Sequence, residues 1–554
     1  MGVELGDSLP PMESPRPKTP EIGLFLLLVA LPLAFLPFTL SPFADIKLVV
    51  VLGGALALWL SAPPGDRRLR QAAAAWVIVT FLASILGVDR GVSLTASQSG
   101  EGSGFMIVLA SAVLLMTGPT IDAALLESAR RWFVWVSVAV AVLGIAFRFE
   151  PGWFTHVVAN NAFVGATLGN QLFAAAFLSA GIAAALGASR IGLRDLAIAA
   201  VLALGVASFG ERTSLLLPPV VCAVMEWRLR PPLSRVVLIF AAVIGPLALW
   251  QAAGPILPSE GGQSAVSQLG SHTTDTQRFT VWRVLAGSAL ERPILGWGPG
   301  TTQGAYLHEA SAQDVARTTR IWADAHDLFL ETLVSSGLLG LIALLALVVL
   351  VVPRAWRAPP ERTWALAAAA ALAAYSLVEP VGIVLTPLLF LFAGIAAGPP
   401  HEDAAPVRRS VRIAGAGVIV VAIAVSGLTL VASGLQLWGS QQAEVPALRA
   451  ALDLAPWRVS AAQALALRLV SDGNSADPAV AGPAAAQARS VIADAVAAHP
   501  WDPNVRITAI DVDVFLRDFS GALWWATQQA ARFPSDVSRV SDMRKLAAGV
   551  GAGG

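Results

Sequence analysis

Long apolar runs separated by short polar segments fill most of the chain up to residue 438. The first run is uncharged and lacks a small-residue cleavage signature, so we expect it to remain as a span. Several of the other runs are shorter than the roughly 20 residues that cross about 30 Å of hydrocarbon. The thirteen candidate spans are residues 22–40, 46–62, 72–86, 105–117, 132–147, 172–187, 196–209, 213–224, 236–253, 328–352, 364–378, 381–397 and 413–438.

Basic residues gather in alternate segments between these runs, which supports the count of thirteen because Lys and Arg favour cytoplasmic loops. We therefore expect a cytoplasmic N-terminal segment at residues 1–21, a polytopic membrane domain at residues 22–438, and a C-terminus outside. The basic groups are Arg16 and Lys18; Arg67, Arg68 and Arg70; Arg130 and Arg131; Arg190 and Arg194; Arg228, Arg230 and Arg235; Arg354, Arg357 and Arg362; Arg408, Arg409 and Arg412.

Composition agrees with a multi-pass membrane protein. Of 554 residues, 56% are hydrophobic and 13% charged, against roughly 25% charged in soluble proteins, and the mean hydropathy is +0.67. The 37 Lys plus Arg balance 37 Asp plus Glu, so no basic excess indicates a nucleic-acid partner. The single cysteine, Cys222, excludes an internal disulfide and a thiolate metal cage.

Two segments predicted to face outward are long enough to form structure of their own. Residues 254–325 are rich in Ser, Thr, Gln, Gly and charge, and form the main loop. Residues 439–554 carry apolar residues at helical spacing, which predicts a soluble helical domain. The helical patches of this tail are residues 445–454, 461–470, 484–498, 505–516 and 522–533.

The tail contains signs of an internal repeat. Pro456-Trp457 recurs as Pro500-Trp501, and Pro534 follows Pro500 by 34 residues, the period of a tetratricopeptide helix pair. Residues 471–483 would then be an insertion in the first unit. The aromatic positions of the repeat are mostly missing, so an alanine-rich bundle without repeat ancestry stays an alternative. The tetratricopeptide interpretation predicts a platform for a protein partner.

Two arginines lie where the outer membrane edge is predicted, and ionisable residues there are functional candidates. Arg212 occupies a tight turn between two short runs, where its guanidinium would offer a fork to a phosphate. Snorkelling, or pairing with Glu211, would explain the same position. Arg278 lies on a predicted amphipathic helix, followed by a turn with glycines at 296, 298 and 300 that would bring backbone close to a ligand.

His326 opens the tenth run between Asp324 and Asp327. An imidazole there suits a general base because it titrates near neutral pH, although a polar helix start is the simpler explanation. The outward segments contain no Asp-x-Asp pair and no cluster of His with carboxylates, so we predict neither a metal nor a cofactor.

These signals combine into a recognisable set. The string ILGWGPG, followed after a gap by HDLFLETLVSSGLLGL, resembles the O-antigen ligase and O-antigen polymerase superfamily, with Asp327 in place of the usual Asn. GATLGNQLFAAAF, which contains Asn170, and GERTSLLL, which contains Arg212, are similar to two further segments of that family. The resemblance covers roughly residues 22–397 and leaves the tail unaddressed.

The resemblance implies an all-α, GT-C-like, inverting and metal-independent glycosyltransferase in a bacterial inner membrane. The donor would be a glycan on undecaprenyl diphosphate, used at the periplasmic face. It implies that Arg212 and Arg278 hold the diphosphate and that His326 activates the acceptor hydroxyl. By the same motifs, Asn170, Gly296, Gly298 and Gly300 would bind substrate. The acceptor is a lipid A core, a growing polymer or a protein, and a transporter, a flippase or a scaffold remains a competing class.

Overall fold

A computed structural model describes the chain except residues 1–18, 62–65, 96–103, 150–161, 188–190, 210–212, 254–272, 319–321, 380–381, 399–406 and 552–554. It is 84% helical, with 23 helices and no strand among the described residues, which confirms the all-α prediction. The helices are α1 (Thr19–Leu33), α2 (Asp45–Ser61), α3 (Arg67–Leu86), α4 (Arg90–Thr95), α5 (Phe105–Thr117), α6 (Ala123–Phe149), α7 (Gln171–Leu186), α8 (Leu193–Ser208), α9 (Leu217–Leu229), α10 (Leu233–Ala253), α11 (Thr273–Glu291), α12 (Thr302–Glu309), α13 (Ala312–Thr318), α14 (Leu328–Arg357), α15 (Thr363–Ser376), α16 (Leu385–Ala396), α17 (Arg409–Gln442), α18 (Val445–Leu454), α19 (Val459–Gly473), α20 (Pro478–Ala498), α21 (Pro503–Phe515), α22 (Phe519–Arg532) and α23 (Val537–Gly551).

Each of the thirteen predicted apolar runs coincides with one of these helices. In the described part of the chain, five helices are long and apolar enough to cross a membrane, namely α3, α6, α10, α14 and α17. The others are shorter apolar helices, such as α7 with 16 residues. The protein is therefore an all-α, multi-pass membrane protein, and the number of full spans and their orientation stay predictions.

The centre of the membrane domain is built from alanine-rich helices. Every residue of α7 from Phe173 to Leu186 is buried, and α15 and α16 are buried along most of their length. α7 packs against α6, α8 and α15. Small side chains let these helices approach closely, and close packing is the main source of helix association in lipid.

The described part of the segment between α10 and α14 forms a compact unit. α11, α12 and α13 enclose an apolar core that includes Val281, Leu285, Tyr306 and Trp322, all buried. Phe533, from the end of α22 in the tail, is fully buried in the same core. The loop and the tail therefore share apolar packing, which fixes them to each other.

Aromatic and ionic contacts add to this attachment of the tail. The Trp501 ring lies 4.9 Å from that of Trp297 in the glycine turn and 5.1 Å from that of His308 in α12. The His499 imidazole Nδ1 lies 2.7 Å from Oδ2 of Asp89, just before α4, and both side chains are buried. The tail thus packs against the turn and the loop that carry the candidate site.

The tail is entirely helical from α18 to α23, and successive helices pack on one another. Helices α18, α20 and α22 each end two residues before the predicted proline markers Pro456, Pro500 and Pro534. Part of the predicted insertion 471–483 instead forms the first turns of α20. Its start is capped by Asp477, whose carboxylate accepts from Ala479 N at 2.9 Å. Tetratricopeptide ancestry stays a prediction.

Helix α17 connects the two parts of the molecule. Its 34 residues begin on the membrane domain, where it packs against α2. Near its other end, Gln436 Oε1 accepts from Arg458 Nε at 3.2 Å, and Gln436 Nε2 donates to Ser460 O at 2.8 Å. The last turns of α17 are therefore hydrogen-bonded to the first helices of the tail.

Candidate active site

Arg278 lies on α11 and is paired with a buried acid. Its Nη2 donates to Oε1 of Glu379 at 2.5 Å, and the two side chains are 14% and 3% exposed. Glu379 follows α15 and is separated from Arg278 by 101 residues. The Nε of Arg278 is buried without a hydrogen-bond partner in the described part of the chain. A buried unsatisfied donor on a guanidinium is suited to an anionic ligand.

His326 lies in a sharp bend just before α14. Its φ is +51°, in the left-handed region, which costs a residue with a side chain about 1–2 kcal/mol. Oδ1 of Asp324 accepts from the backbone N of His326 at 2.8 Å and also contacts the imidazole Nδ1. The ring of Trp322 lies 4.4 Å from the imidazole, edge to face. The imidazole is thus held between an acid and an aromatic ring.

The helix that carries Arg278 is hydrogen-bonded to the bend that carries His326. Trp282, one helical turn after Arg278, donates its indole N–H to the carbonyl oxygen of Ala325 at 2.8 Å. Ala325 is the residue before His326. Residues four apart on a helix lie on one face, roughly 6 Å apart along it, so Arg278 lies about one helical turn from the residue that bonds the histidine bend.

Asp327 is the departure from the family motif, and it begins α14. Its Oδ1 accepts from Leu330 N at 2.7 Å, which caps the helix. Burial raises the pKa of Asp327, partly offset by its backbone hydrogen bonds. Because an asparagine accepts the same capping bond, the substitution leaves the helix start intact.

The three glycines of the turn before α12 have backbone conformations that disfavour other residues. Gly296, Gly298 and Gly300 have φ of +71°, +108° and +75°. A Cβ at Gly298 would lie 2.4 Å from Oγ of Ser93, and one at Gly296 would lie 2.5 Å from the carbonyl oxygen of Val334. The glycines therefore allow close contact between segments of the protein itself, and their predicted role in substrate binding stays a prediction.

This turn pairs with a break in α14. At Gly337, φ is +65°, and the helix is interrupted there. Trp297 N donates to Val334 O at 2.8 Å, and Gly298 N donates to Ser335 O at 2.9 Å. The turn thus satisfies carbonyl groups that the broken helix leaves open, and it fixes the loop to α14.

Two predicted site residues, Asn170 and Arg212, have no described contact with Arg278 or His326. Asn170 caps α7, with its side-chain oxygen accepting from Leu172 N at 2.8 Å, after a segment in which Ala166 has φ +51°. Its predicted contact with substrate stays a prediction. Arg212 lies outside the described residues, so its position relative to Arg278 also stays a prediction.

Sequence reasoning missed Glu379, Trp282 and Glu331 as parts of the site. Glu379 had a detectable signal, because it is a lone acid between two predicted apolar runs, where ionisable residues are costly. Trp282 had none, since an aromatic residue at a helix surface is common. Glu331 lies in the string HDLFLETLVSSGLLGL, but nothing in the sequence indicated a role for it. Trp282 and Ala325 are 43 residues apart, and Glu331 and Thr302 are 29 apart, so only the fold brings these pairs together.

An apolar cavity of about 510 Å³ starts beside the histidine bend. Leu328 and Phe329, at the first turn of α14, line one part of it, and Val352, Ala355 and Trp356 line the other end of the same helix. Residues of α15 and α16 complete its wall. The ends of the lining on α14 are about 40 Å apart along the helix, at 1.5 Å per residue.

The fold defines a class: an all-α, multi-pass membrane protein in which the helix of a buried arginine pair is bonded to a histidine bend beside the membrane helices. Residues 174–345 match the model of the O-antigen ligase family, so this part of the membrane domain is similar to that family. The match includes Arg278, the glycine turn and His326, and ends within α14. No curated protein matches the chain. The family supports an enzyme of the O-antigen ligase or polymerase type, a glycosyltransferase.

Proposed function

We propose that this protein transfers a glycan from undecaprenyl diphosphate to an acceptor hydroxyl at the periplasmic face of a bacterial inner membrane. The observation that carries the proposal is the hydrogen bond from Trp282 to Ala325, which joins the helix of Arg278 to the bend of His326. The proposal places a cation for the leaving group and a base for the nucleophile beside the same space, and this bond supports it.

The Arg278 guanidinium stabilises the diphosphate as negative charge grows on it. The unsatisfied Nε–H of Arg278 supplies a donor, and Glu379 fixes the orientation of the guanidinium plane. In a site sheltered from water, such a charge interaction is stronger than in bulk solvent. Arg212 is proposed as the second guanidinium on the diphosphate. Two arginines supply the counter-charge that a metal supplies in other transferases.

His326 acts as the base. The acceptor hydroxyl gives its proton to Nε2, because Nδ1 already contacts Asp324. The acceptor oxygen then bonds to the anomeric carbon, the bond from that carbon to the phosphate oxygen breaks, and its electron pair leaves with the diphosphate. Attack opposite the leaving group inverts the anomeric configuration.

The apolar cavity supports a polyprenyl donor. It lies along α14 and begins at Leu328, two residues after His326. An isoprenoid chain in this cavity would place its diphosphate at the histidine bend, where Arg278 is available. Burial of apolar chain contributes roughly 25 cal/mol per Å², which favours a long lipid carrier over a soluble donor.

Ligation to a lipid A core is the first candidate for the acceptor step, and polymerisation on the same carrier or transfer to a protein hydroxyl are the alternatives. The single compact outward loop favours ligation. The helical tail favours a protein acceptor or partner, since it lies against the loop that carries the site.

The test uses the full-length protein in nanodiscs with an undecaprenyl-diphosphate oligosaccharide. Lipid A core, a second donor molecule and a serine-rich peptide are offered in turn, and products are identified by mass spectrometry. We expect transfer to the lipid A core, with inversion shown by NMR of the new linkage. If the donor is not consumed with any of the three acceptors, a transferase of this kind is refuted.

Variants then test the residues. His326→Ala and Arg278→Ala should each lower the transfer rate at least about 100-fold, as expected when a base or a charge stabiliser is lost. Arg283→Ala is the matched control, because Arg283 lies on the same helix with a 63% exposed side chain paired to Asp314. A normal rate in His326→Ala would remove the histidine from the mechanism.

A further inference from the structure

Glu331 is a buried acid in the first turns of α14, and both of its carboxylate oxygens accept hydrogen bonds. Oε1 accepts from the hydroxyl of Thr302 at 2.7 Å, and Oε2 accepts from the backbone N of Ala325 at 3.0 Å. Thr302 is the first residue of α12, directly after the glycine turn. One carboxylate therefore bonds the first residue of α12 to the residue that precedes His326.

The backbone around His326 needs such support. A histidine with φ of +51° persists only where surrounding bonds fix the chain. Ala325 is fixed on both sides of its backbone, since its N–H is held by Glu331 and its carbonyl oxygen by the Trp282 indole. The N–H of His326 itself is held by Asp324. Of these three groups, Glu331 also bonds to α12, through the hydroxyl of Thr302.

We propose that Glu331 is a positioning residue that fixes the strained bend and so places the His326 imidazole for proton abstraction. The proposal rests on the proposed function, because it assigns Glu331 a role through His326. Glu331 itself does not touch the reacting atoms and carries no proton in the reaction.

The hydrogen-bonding chemistry of Ala325 and Thr302 distinguishes a positioning role of Glu331 from a role as proton carrier. Ala325 N can only donate, whereas the Thr302 hydroxyl can rotate to donate or accept. A glutamine at position 331 can therefore accept from Ala325 with its amide oxygen and donate to Thr302 with its amide nitrogen. Positioning then survives Glu331→Gln, whereas a proton carrier would not. Glu331→Ala removes both bonds.

The experiment measures kcat and KM for the lipid-linked donor in nanodiscs. Glu331→Ala should lower kcat about 100-fold, the size of effect that a displacement of about 1 Å produces, and leave KM within about twofold. Glu331→Gln should keep kcat within about threefold of the wild type. Hydrogen exchange at the Ala325 amide should become faster in Glu331→Ala and stay slow in Glu331→Gln.

Threonine variants provide a second test if Glu331→Ala does not fold. Thr302→Val should reduce kcat, and the reduction should be larger when it is combined with Glu331→Gln, since the amide nitrogen then loses its acceptor. Thr332→Val is the matched control, because the Thr332 hydroxyl bonds only to Leu328 O within α14 at 2.7 Å. It should leave kcat unchanged.

Two results would overturn the positioning role. One is a wild-type kcat in Glu331→Ala, and the other is a loss in Glu331→Gln as deep as in His326→Ala, which would mark Glu331 as a proton carrier. Failure of the proposed function is separate: His326→Ala would then transfer at the wild-type rate whatever residue stands at position 331.

Discussion

The ion pair between His499 and Asp89 predicts how firmly the tail is attached and how the attachment depends on pH. His499 follows α20 and Asp89 precedes α4, and their side chains are 5% and 4% exposed. Asp89 also accepts from Val92 N at 3.0 Å through its other carboxylate oxygen. Replacing His499 with leucine keeps a similar volume but leaves a buried carboxylate without its cation.

Breaking one partner of a buried pair costs about 3–5 kcal/mol. Because Asp89 retains its bond to Val92, we expect the lower end, about 3 kcal/mol. This value corresponds to an increase of about 150-fold in the fraction of molecules with the tail opened, at 1.4 kcal/mol per tenfold. The double variant Asp89→Asn/His499→Leu should cost about 2 kcal/mol less than the sum of the single variants, because the uncompensated charge is removed.

The pH dependence follows from the pKa of His499. Burial alone would lower that pKa, but the hydrogen bond and charge of Asp89 outweigh burial and raise it above 6.5. A histidine whose pKa is raised in the folded state contributes its full stabilisation of the docked tail below about pH 6.5, the pKa of histidine in the unfolded chain. This stabilisation is lost as the pH rises through the folded-state value. Docking should therefore weaken towards alkaline pH.

Hydrogen exchange of the amides of residues 499, 501 and 502 in the full-length protein, measured from pH 5.5 to 9, is the assay. In the wild type, the opening free energies should fall as the pH rises. In His499→Leu they should be lower, and they should not change with the titration of His499. Equal opening free energies in the two proteins across the range would refute the reasoning, since the pair would then contribute nothing.

Three further predictions concern the turn and the site. Gly298→Ala should destabilise the protein by about 2 kcal/mol or more in thermal unfolding, because of its φ of +108° and the contact with Ser93. Gly245→Ala, in α10 with open space around it, should instead be neutral or stabilising by up to about 1 kcal/mol, and equal effects would contradict this account. Arg278→Lys should restore little of the rate lost in Arg278→Ala, because an ammonium cannot present the Nε–H and Nη–H fork together; full rescue would argue for charge alone. EDTA should leave the transfer rate unchanged, and a loss that added Mg²⁺ reverses would show a metal requirement.

The sequence predicted the membrane helices well because apolar periodicity is a local signal. The run 105–117 matches α5 at both ends, and each tail patch lies within or overlaps a helix. One helix and one boundary were missed for physical reasons. Helix α23 is too polar along its length to be recognised as an apolar patch. Helix α20 begins at Pro478, which was assigned to an insertion, but a proline is tolerated in the first turn of a helix.

The candidate site was predictable only where a motif or a stray charge marked it. Arg278 and His326 were marked in this way, and the structure bonds the helix of Arg278 to the bend of His326, while their common site stays a prediction. The pairs that hold them were not predictable, because Arg278 and Glu379 are 101 residues apart and Trp282 and Ala325 are 43 apart. The docking of the tail through Trp501 and His499 had no sequence signal either, since buried aromatic residues and histidines are ordinary in helical domains.

Helix α17 behaves as a rod whose length and angular phase decide where the tail meets the segment between α10 and α14. Its 34 residues extend about 51 Å. Each added residue would advance the tail by about 1.5 Å and turn it by about 100° about the rod, carrying His499 away from Asp89. Even a seven-residue insertion, which nearly restores the angle, would shift the tail by roughly 10 Å. The length of the helix from residue 409 to residue 442 is thus far less free to change during evolution than its simple apolar composition suggests.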